Sequence, residues 1–255
     1  MTSARTVPCI HRVQTPKANG AVWSIYRQLG MAIDLDTLVS RLEQLECQAT
    51  DAGAAPRSRL VTFDDGWVDS LALIPVFEHC KHLQPVLFLT ASQLAGAQSE
   101  LPLPRLYAWC AESGRRLEDL ESLGVTREQL KRVPEAEQHA WLTRIGVRMR
   151  DNPADVLAPV QVRHLVAEGW LVGSHAHDHH DLRFDDPRSL LEGLSRAASD
   201  LKAFGGVPWL AWPEGRCTVE TCEIARQAGF MLQFSLSVES GAIDRDDLVH
   251  REIWK

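Results

Sequence analysis

The sequence predicts an α/β fold built on a parallel sheet, closed into a barrel or left open, with its chemistry at the C-terminal ends of the strands. Three observations carry that expectation. Short apolar runs alternate with amphipathic helical stretches along the 255 residues. Runs such as Pro85-Val86-Leu87-Phe88-Leu89 lack polar alternation, as strands buried on both faces require. Two of the runs also stop abruptly at ionisable residues, one at Asp64-Asp65-Gly66 and the other at Ser174-His175-Ala176-His177-Asp178-His179-His180.

Residues 7–13 read as a first strand carrying His11 near its end, and 14–30 as a long functional loop with Pro16 and Gly20 as breakers. Asp34-Leu35-Asp36-Thr37 opens a helix whose Leu38, Leu42 and Leu45 recur at helical spacing. A short Gly/Ala/Pro linker over 51–57 leads into the strand that begins at Leu60. A helix over 70–82, with Leu73, Val76 and Phe77 on one side, and a strand over 84–90 complete a βαβ unit. Residues 99–154 turn helical and charged, show no evident chemistry, and read as an insertion or cap between barrel elements.

The alternation then resumes. A helix over 160–169 ends at Gly169, a strand over 170–173 enters the histidine cluster, and 187–204 is a helix with Leu190, Leu194, Ala197 and Leu201 on its apolar side. A strand over 209–215 ends in a Pro/Gly turn, a helix over 218–228 is capped by Gly229, and strands follow over 230–237 and 248–254. The length suits one domain over 1–255.

Composition is that of an ordinary globular chain, 45% hydrophobic and 24% charged. A net charge of -7 argues against nucleic acid and anionic membrane surfaces as partners. No apolar span approaches the length a bilayer requires. The first eight residues have no apolar leader core, so a cytoplasmic location is expected. The six cysteines form no CxxC pair and are expected to be buried thiols in a reducing compartment.

Asp-Asp-Gly is ordinary turn composition. It gains meaning from the histidines more than a hundred residues downstream, four of them within six positions. On one helical turn or a tight loop, His175 and His179 both face one point, and a carboxylate from the Asp64-Asp65 pair completes a His, His, Asp set. Three protein ligands with positions left over are the set of a catalytic divalent metal, whereas a structural zinc takes four. His177 and His180 are alternative ligands at this stage. His11 is either a surface polar residue or part of the site.

Thr62-Phe63-Asp64-Asp65-Gly66 with Ser174-His175-Ala176-His177-Asp178-His179 resembles the first two motifs of the polysaccharide deacetylase (NodB-homology) superfamily, carbohydrate esterase family four. The resemblance implies a distorted (β/α)7 barrel, with Asp64 as catalytic base and with Asp65, His175 and His179 as metal ligands. It implies a divalent metal, Zn²⁺ first, with Co²⁺, Ni²⁺ or Mn²⁺ as alternatives. His11-Arg12-Val13 resembles a first strand of some members, and residues 210–215 the third motif, which shapes the groove and supplies a backbone N–H to the oxyanion. Where that motif often carries an arginine paired with the base, this chain has Ala211, and where a proline often follows the second histidine it has His180. Leu248-Val249-His250 fits the motif of the general acid, which would make His250 that acid, with Arg251 beside it as a rival.

The reaction so implied is metal-assisted hydrolysis of a sugar N-acetyl group. Trp67, Trp209 and Trp212 are candidates to stack on a sugar ring, and His11, Pro213, Glu214 and Arg251 to line the substrate groove. The expected substrate is an acetylated sugar, nucleotide-linked, lipid-linked or oligosaccharide, from surface polysaccharide or O-antigen (lipopolysaccharide) assembly. An amidase or O-acetyl esterase acting on another substrate, and an inactive sugar-binding module kept in view by Ala211, are the alternatives.

Overall fold

Seven parallel strands close into a barrel, and they follow one another around it in chain order. The computed structural model describes residues 6–15, 21–49, 56–97, 100–151, 153–236, 243 and 245–255. The N-terminal residues 1–5, the breakers Pro16 and Gly20, linker residues 51–55 and Ser237 lie outside that set.

Strand β1 (Val7–Ile10) stops at His11, and β2 (Arg12–Gln14) leaves the barrel to pair in parallel with β3 (Ala32–Asp34). The single strand expected over 7–13 is thus two, because a separate partner captures its second half. The stretch expected as a loop contains α1 (Ala21–Gln28), which buries Trp23, Ile25 and Tyr26. So short a helix takes its stability from tertiary packing, so its own period gives little signal. Helix α2 (Leu35–Ala49) buries Leu38, Leu42 and Leu45, as their spacing predicts.

After β4 (Leu60–Phe63) comes a 3₁₀ segment over Val68–Leu73 and then α3 (Ile74–His79). The helix expected over 70–82 is divided because Pro75, in the first turn of α3, has no N–H to bond backwards. Strand β5 (Gln84–Leu89) leads to the single turn α4 (Ala91–Leu94). Helices α5 (Pro102–Glu112), α6 (Arg127–Leu130) and α7 (Glu135–Arg144) then bury Leu106, Tyr107, Leu130 and Leu142 together with Tyr26 of α1. That apolar cluster is distinct from the barrel's own. The regular pattern returns with α8 (Pro159–Ala167), β6 (Leu171–Ser174), α9 (Pro187–Phe204), β7 (Trp209–Ala211), α10 (Val219–Gln227), β8 (Leu232–Leu236) and β9 (Leu248–Ile253).

Strand residues alternate between the barrel lumen and the helices around it. Val7, Leu60, Val86, Phe88, Ala211, Phe234 and Val249 fill the lumen, while Phe63, Leu87, Val172 and Leu210 pack outward in the larger core. The strands' C-terminal ends then deliver His11, Asp64, His175, Glu214 and Arg251 to one cavity. Among the described residues no disulfide forms and no helix is long and apolar enough to cross a membrane. Five cysteines are buried as expected, but Cys47 is exposed near the end of α2.

Gly173 is where the lumen is tightest. A Cβ there would lie 2.4 Å from Phe88 Cε1 and 3.1 Å from the Trp209 carbonyl oxygen. Gly173→Ala is expected to destabilise the fold by about 1–3 kcal/mol through overpacking. Urea unfolding measures this, and an unchanged midpoint would show that Phe88 has room to move.

Candidate metal centre and active site

Adjacent residues of a continuing strand point to opposite faces, yet both carboxylates of Asp64-Asp65 enter the same cavity. The chain manages this by turning at once after β4, with Asp65 at φ 70° and Gly66 at φ 68°. Among the described residues, the non-glycine positions with positive φ are Asp65, Ala176 and Glu214, each two or three residues past the end of a barrel strand. Strained backbone of this kind persists where its surroundings enforce it. Here Gln93 Nε2 donates to the Asp65 carbonyl at 2.8 Å, the Ala91 amide to the Ala176 carbonyl at 3.0 Å, and the Leu157 amide to the Gly66 carbonyl at 2.8 Å.

The two aspartates occupy different surroundings. Asp64 Oδ1 accepts from Arg251 Nη1 at 2.7 Å, while Oδ2 accepts from the Cys9 thiol at 3.4 Å and lies 4.0 Å from His11 Nε2 and from His175 Nε2. Burial alone would raise the Asp64 carboxyl, but Arg251, then His175 and His11, outweigh it and hold the group at about 2. Arg251 in turn donates to Thr62 Oγ1 at 3.2 Å, and Thr62 donates to the Pro8 carbonyl at 2.7 Å. The guanidinium missing at Ala211 is therefore supplied from β9.

Asp65 faces the histidines. Its Oδ1 lies 3.4 Å from His175 Nε2 and 3.1 Å from His179 Nε2, and the two imidazole rings meet edge to face with centroids 4.8 Å apart. His175 Nδ1 sits 2.9 Å from the Ala211 carbonyl, so that nitrogen carries a hydrogen and Nε2 is the atom turned toward the carboxylate. Burial works against charge on His179, but Asp65 raises it to about 9. Asp65 is held well below the usual carboxylate range, since the two histidines overcome its burial.

A divalent cation fits this donor set. Asp65, His175 and His179 each offer one ligand atom within 4.8 Å of the others, and Asp65 Oδ1 is buried with no hydrogen-bond partner. Ligand atoms that converge in this way suit one shared cation once the His179 proton is displaced, and the orientation of His175 by a backbone carbonyl is a familiar support for a ligating imidazole. Of the other sequence candidates, His177 lies on the opposite side of the loop beside Arg196, and His180 pairs with Asp185 at 2.8 Å.

Several expected substrate residues lie elsewhere. Trp67 is buried, with its Nε1 donating to Asp65 Oδ2 at 3.3 Å, and Trp212 is buried with its Nε1 donating to Gln233 at 3.1 Å. Trp209 packs in the lumen against Phe234. None of the three lines the cavity. Pro213 is buried below the turn that presents Glu214. His250, expected as the general acid, is also displaced. It follows Val249 and precedes Arg251, both lumen residues, so its ring points out of the barrel, with Nε2 3.1 Å from the Ile243 carbonyl. His11, Glu214 and Arg251 do line the cavity.

The helical stretch that showed no chemistry in the sequence supplies part of the wall. Leu103, Pro104, Tyr107, Arg127 and Lys131 close over the strand ends. Lys131 Nζ pairs with Glu214 Oε2 at 2.5 Å, and its carbonyl accepts from the Asp181 amide at 2.6 Å, which ties the cap to the histidine loop. A buried lysine in an amphipathic segment was the available signal, but its exposure is not readable from periodicity.

Comparison with known proteins agrees with this architecture. The polysaccharide deacetylase family model matches residues 52–232. Among solved structures, IcaB from Ammonifex degensii is 20% identical, covers 98% of this chain and 91% of its own, and superposes with a TM-score of 0.56. A de-N-acetylase from Aggregatibacter actinomycetemcomitans is 14% identical over 96% of this chain and 93% of its own, with a TM-score of 0.58. The Streptococcus pyogenes deacetylase PplD, solved with acetate, is 12% identical over 98% and 92%, with a TM-score of 0.55. No curated protein matches the chain significantly. At these identities the solved structures speak for the fold alone, a closed (β/α)7 barrel. The match of the family model over most of the chain, on a barrel whose strand ends gather Asp64, Asp65, His175 and His179, makes this protein a member of the polysaccharide deacetylase family.

Proposed function

We propose that this chain is a divalent-metal-dependent hydrolase that removes the N-acetyl group from a sugar. The observation that carries the reading is the separation of the two aspartates: Asp64 on Arg251, Asp65 on two imidazoles, within one cavity. Asp65, His175 and His179 would hold the cation, with zinc the first choice for a set of two imidazoles and a carboxylate. Such a cation supplies Lewis acidity toward the acetamide carbonyl and lowers the pKa of a neighbouring water.

The chain's own residues supply the remaining steps. Asp64 is ionised at neutral pH, and its Oδ2, the oxygen not taken by Arg251, is the acceptor for the proton of the attacking water. The Gly215 and Arg216 amides are engaged by the Trp212 and Pro213 carbonyls, so in this reading the oxyanion takes the Glu214 amide of the same turn. With His175 and His179 as ligands and His250 outside the cavity, His11 is the imidazole left to return a proton to the departing amine. Burial lowers its pKa, so the imidazole is neutral at pH 7 and able to take up the proton that Asp64, 4.0 Å from its Nε2, removes from the water, and then to pass it to the amine. The release of acetate is consistent with the acetate found in the similar Streptococcus deacetylase. Ala211 no longer favours an inactive module, since Arg251 provides the guanidinium.

A cavity of about 200 Å³ is smaller than the roughly 300–1,000 Å³ that drug-sized ligands occupy, so it admits the acetamido end and about one sugar ring. The rest of the substrate lies outside. Arg127 lines the wall and pairs with no carboxylate among the described residues, which suits the phosphate of a nucleotide- or lipid-linked precursor, as in O-antigen or other surface polysaccharide assembly. An acetate-release assay over nucleotide-linked, lipid-linked and polymeric N-acetylated sugars tests the reading, and no release from any of them, with metal supplied, would overturn it.

Three further outcomes are expected. Asp64→Asn lowers kcat by about 10²–10⁴-fold with metal content kept, whereas His175→Ala loses the metal; elemental analysis beside kinetics separates these roles. Arg251 holds the Asp64 carboxyl down against its burial, so Arg251→Met raises that pKa. An acid limb in kcat/KM that lies near pH 2 in the native enzyme should then move up into the measurable range. Finally, His179 is raised to about 9 in the metal-free protein and is protonated at neutral pH. Metal uptake must displace that proton, so the apparent affinity falls roughly tenfold for each pH unit below 9. Calorimetry in two buffers of different ionisation heat detects the release, and identical heats would argue against it.

A further inference from the structure

Trp67 was expected to stack on a sugar, and its burial leaves a large aromatic side chain one residue beyond the Asp-Asp-Gly turn with a different task. A carboxylate has two oxygens. Asp65 directs Oδ1 at His175 and His179, and the Trp67 indole N–H donates to Oδ2 at 3.3 Å. The indole is held firmly. Trp67 forms an antiparallel bridge with Val156, the Val68 amide donates to the Asp155 carbonyl at 3.0 Å, and the Leu157 amide to the Gly66 carbonyl at 2.8 Å.

Its face is held too. The Arg12 guanidinium lies 4.1 Å from the centre of the Trp67 ring, and 4.7 Å and 4.9 Å from the rings of Trp23 and Tyr26 in α1. Arg12 is buried and anchored on Asp69, with Nε to Oδ2 at 2.6 Å and Nη2 to Oδ1 at 3.3 Å. A cation over an indole face draws on its π density and makes the N–H a stronger donor, all the more where water is excluded.

We propose that Trp67, polarised by Arg12, is the positioning residue that commits Asp65 to ligate the cation through Oδ1 alone, and that the α1 aromatics extend this support into the helical cap. The proposal rests on the reading of Asp65, His175 and His179 as a cation site. Indole occupancy of Oδ2 disfavours a chelating carboxylate and leaves more of the coordination sphere to substrate and water. A tryptophan kept for packing alone would be replaced by phenylalanine without consequence for the metal.

The test uses the full chain, stripped by chelation and titrated with Co²⁺, as wild type and as Trp67→Phe. The variant is expected to bind Co²⁺ about 10–100-fold more weakly, the usual effect of losing a hydrogen-bond partner of a ligand, and to show a changed visible absorption band as Asp65 becomes free to bind through both oxygens. A second measurement needs only the wild type to remain folded. Of its eight tryptophans, the one whose indole ¹H–¹⁵N resonance is missing from Trp67→Phe, or is assigned directly if that variant does not fold, should shift when Zn²⁺ is added. Unchanged affinity and band in the variant, or an unmoved resonance in a wild type that binds the ion, overturns the proposal and leaves the cation site standing. A wild type that binds neither ion removes the cation site and the proposal with it, so the two failures read differently.

Discussion

At the end of β4 two neighbouring carboxylates enter one cavity, which a continuing strand forbids and only an immediate left-handed turn allows. Holding Asp65 at φ 70° costs of order 1–3 kcal/mol, and that strain is met by hydrogen bonds from neighbouring elements. Gln93 reaches the Asp65 carbonyl, and Leu157 the carbonyl of Gly66. Gly66 itself admits no side chain, since a Cβ would sit 2.7 Å from Leu89. If the turn relaxed, one aspartate would leave the cavity and the division of labour between the two would end.

That division is electrostatic. Buried carboxylates are costly unless paired, and each of these has its own cationic or ionisable partner. Asp64 has Arg251, which is anchored through Thr62 to the Pro8 carbonyl of β1. Asp65 has the two imidazoles. The first pairing keeps a carboxylate ionised, with its second oxygen reached only by the weak Cys9 thiol donor, and the second gathers donor atoms about a point suited to a cation. The helical cap completes the arrangement, because Lys131 joins Glu214 to the histidine loop while Tyr26 and Tyr107 pack α1 against α5 over the same mouth.

The aromatic residues show where residue type misleads. Tryptophans beside the Asp-Asp-Gly and Pro-Glu-Gly turns invite a stacking role, yet Trp67, Trp209 and Trp212 are absorbed elsewhere: against the Asp65 carboxylate, in the lumen and in the outer core. His250 and Arg251 differ by one position and by one face of β9, and the face decides that Arg251, and not the histidine, meets Asp64. The helix α1 stayed hidden because it is only eight residues long and follows the breakers Pro16 and Gly20, while the aromatic residues it packs against lie about 80 positions away in α5.

The sequence by itself determined the alternation of strands and helices, the buried character of the sheet, and the chemical identity of the groups at its rim. Those properties follow from local period and side-chain type, which each segment carries alone. Only the tertiary structure decided which rim groups meet. Closure of the barrel fixes which strand ends face one another, and a shift of one residue along a strand reverses the direction of a side chain. The partnership of Arg251 with Asp64 across 187 positions, the outward turn of His250, and the entry of Lys131 and Tyr107 from the cap all depend on that closure and carry no local signature.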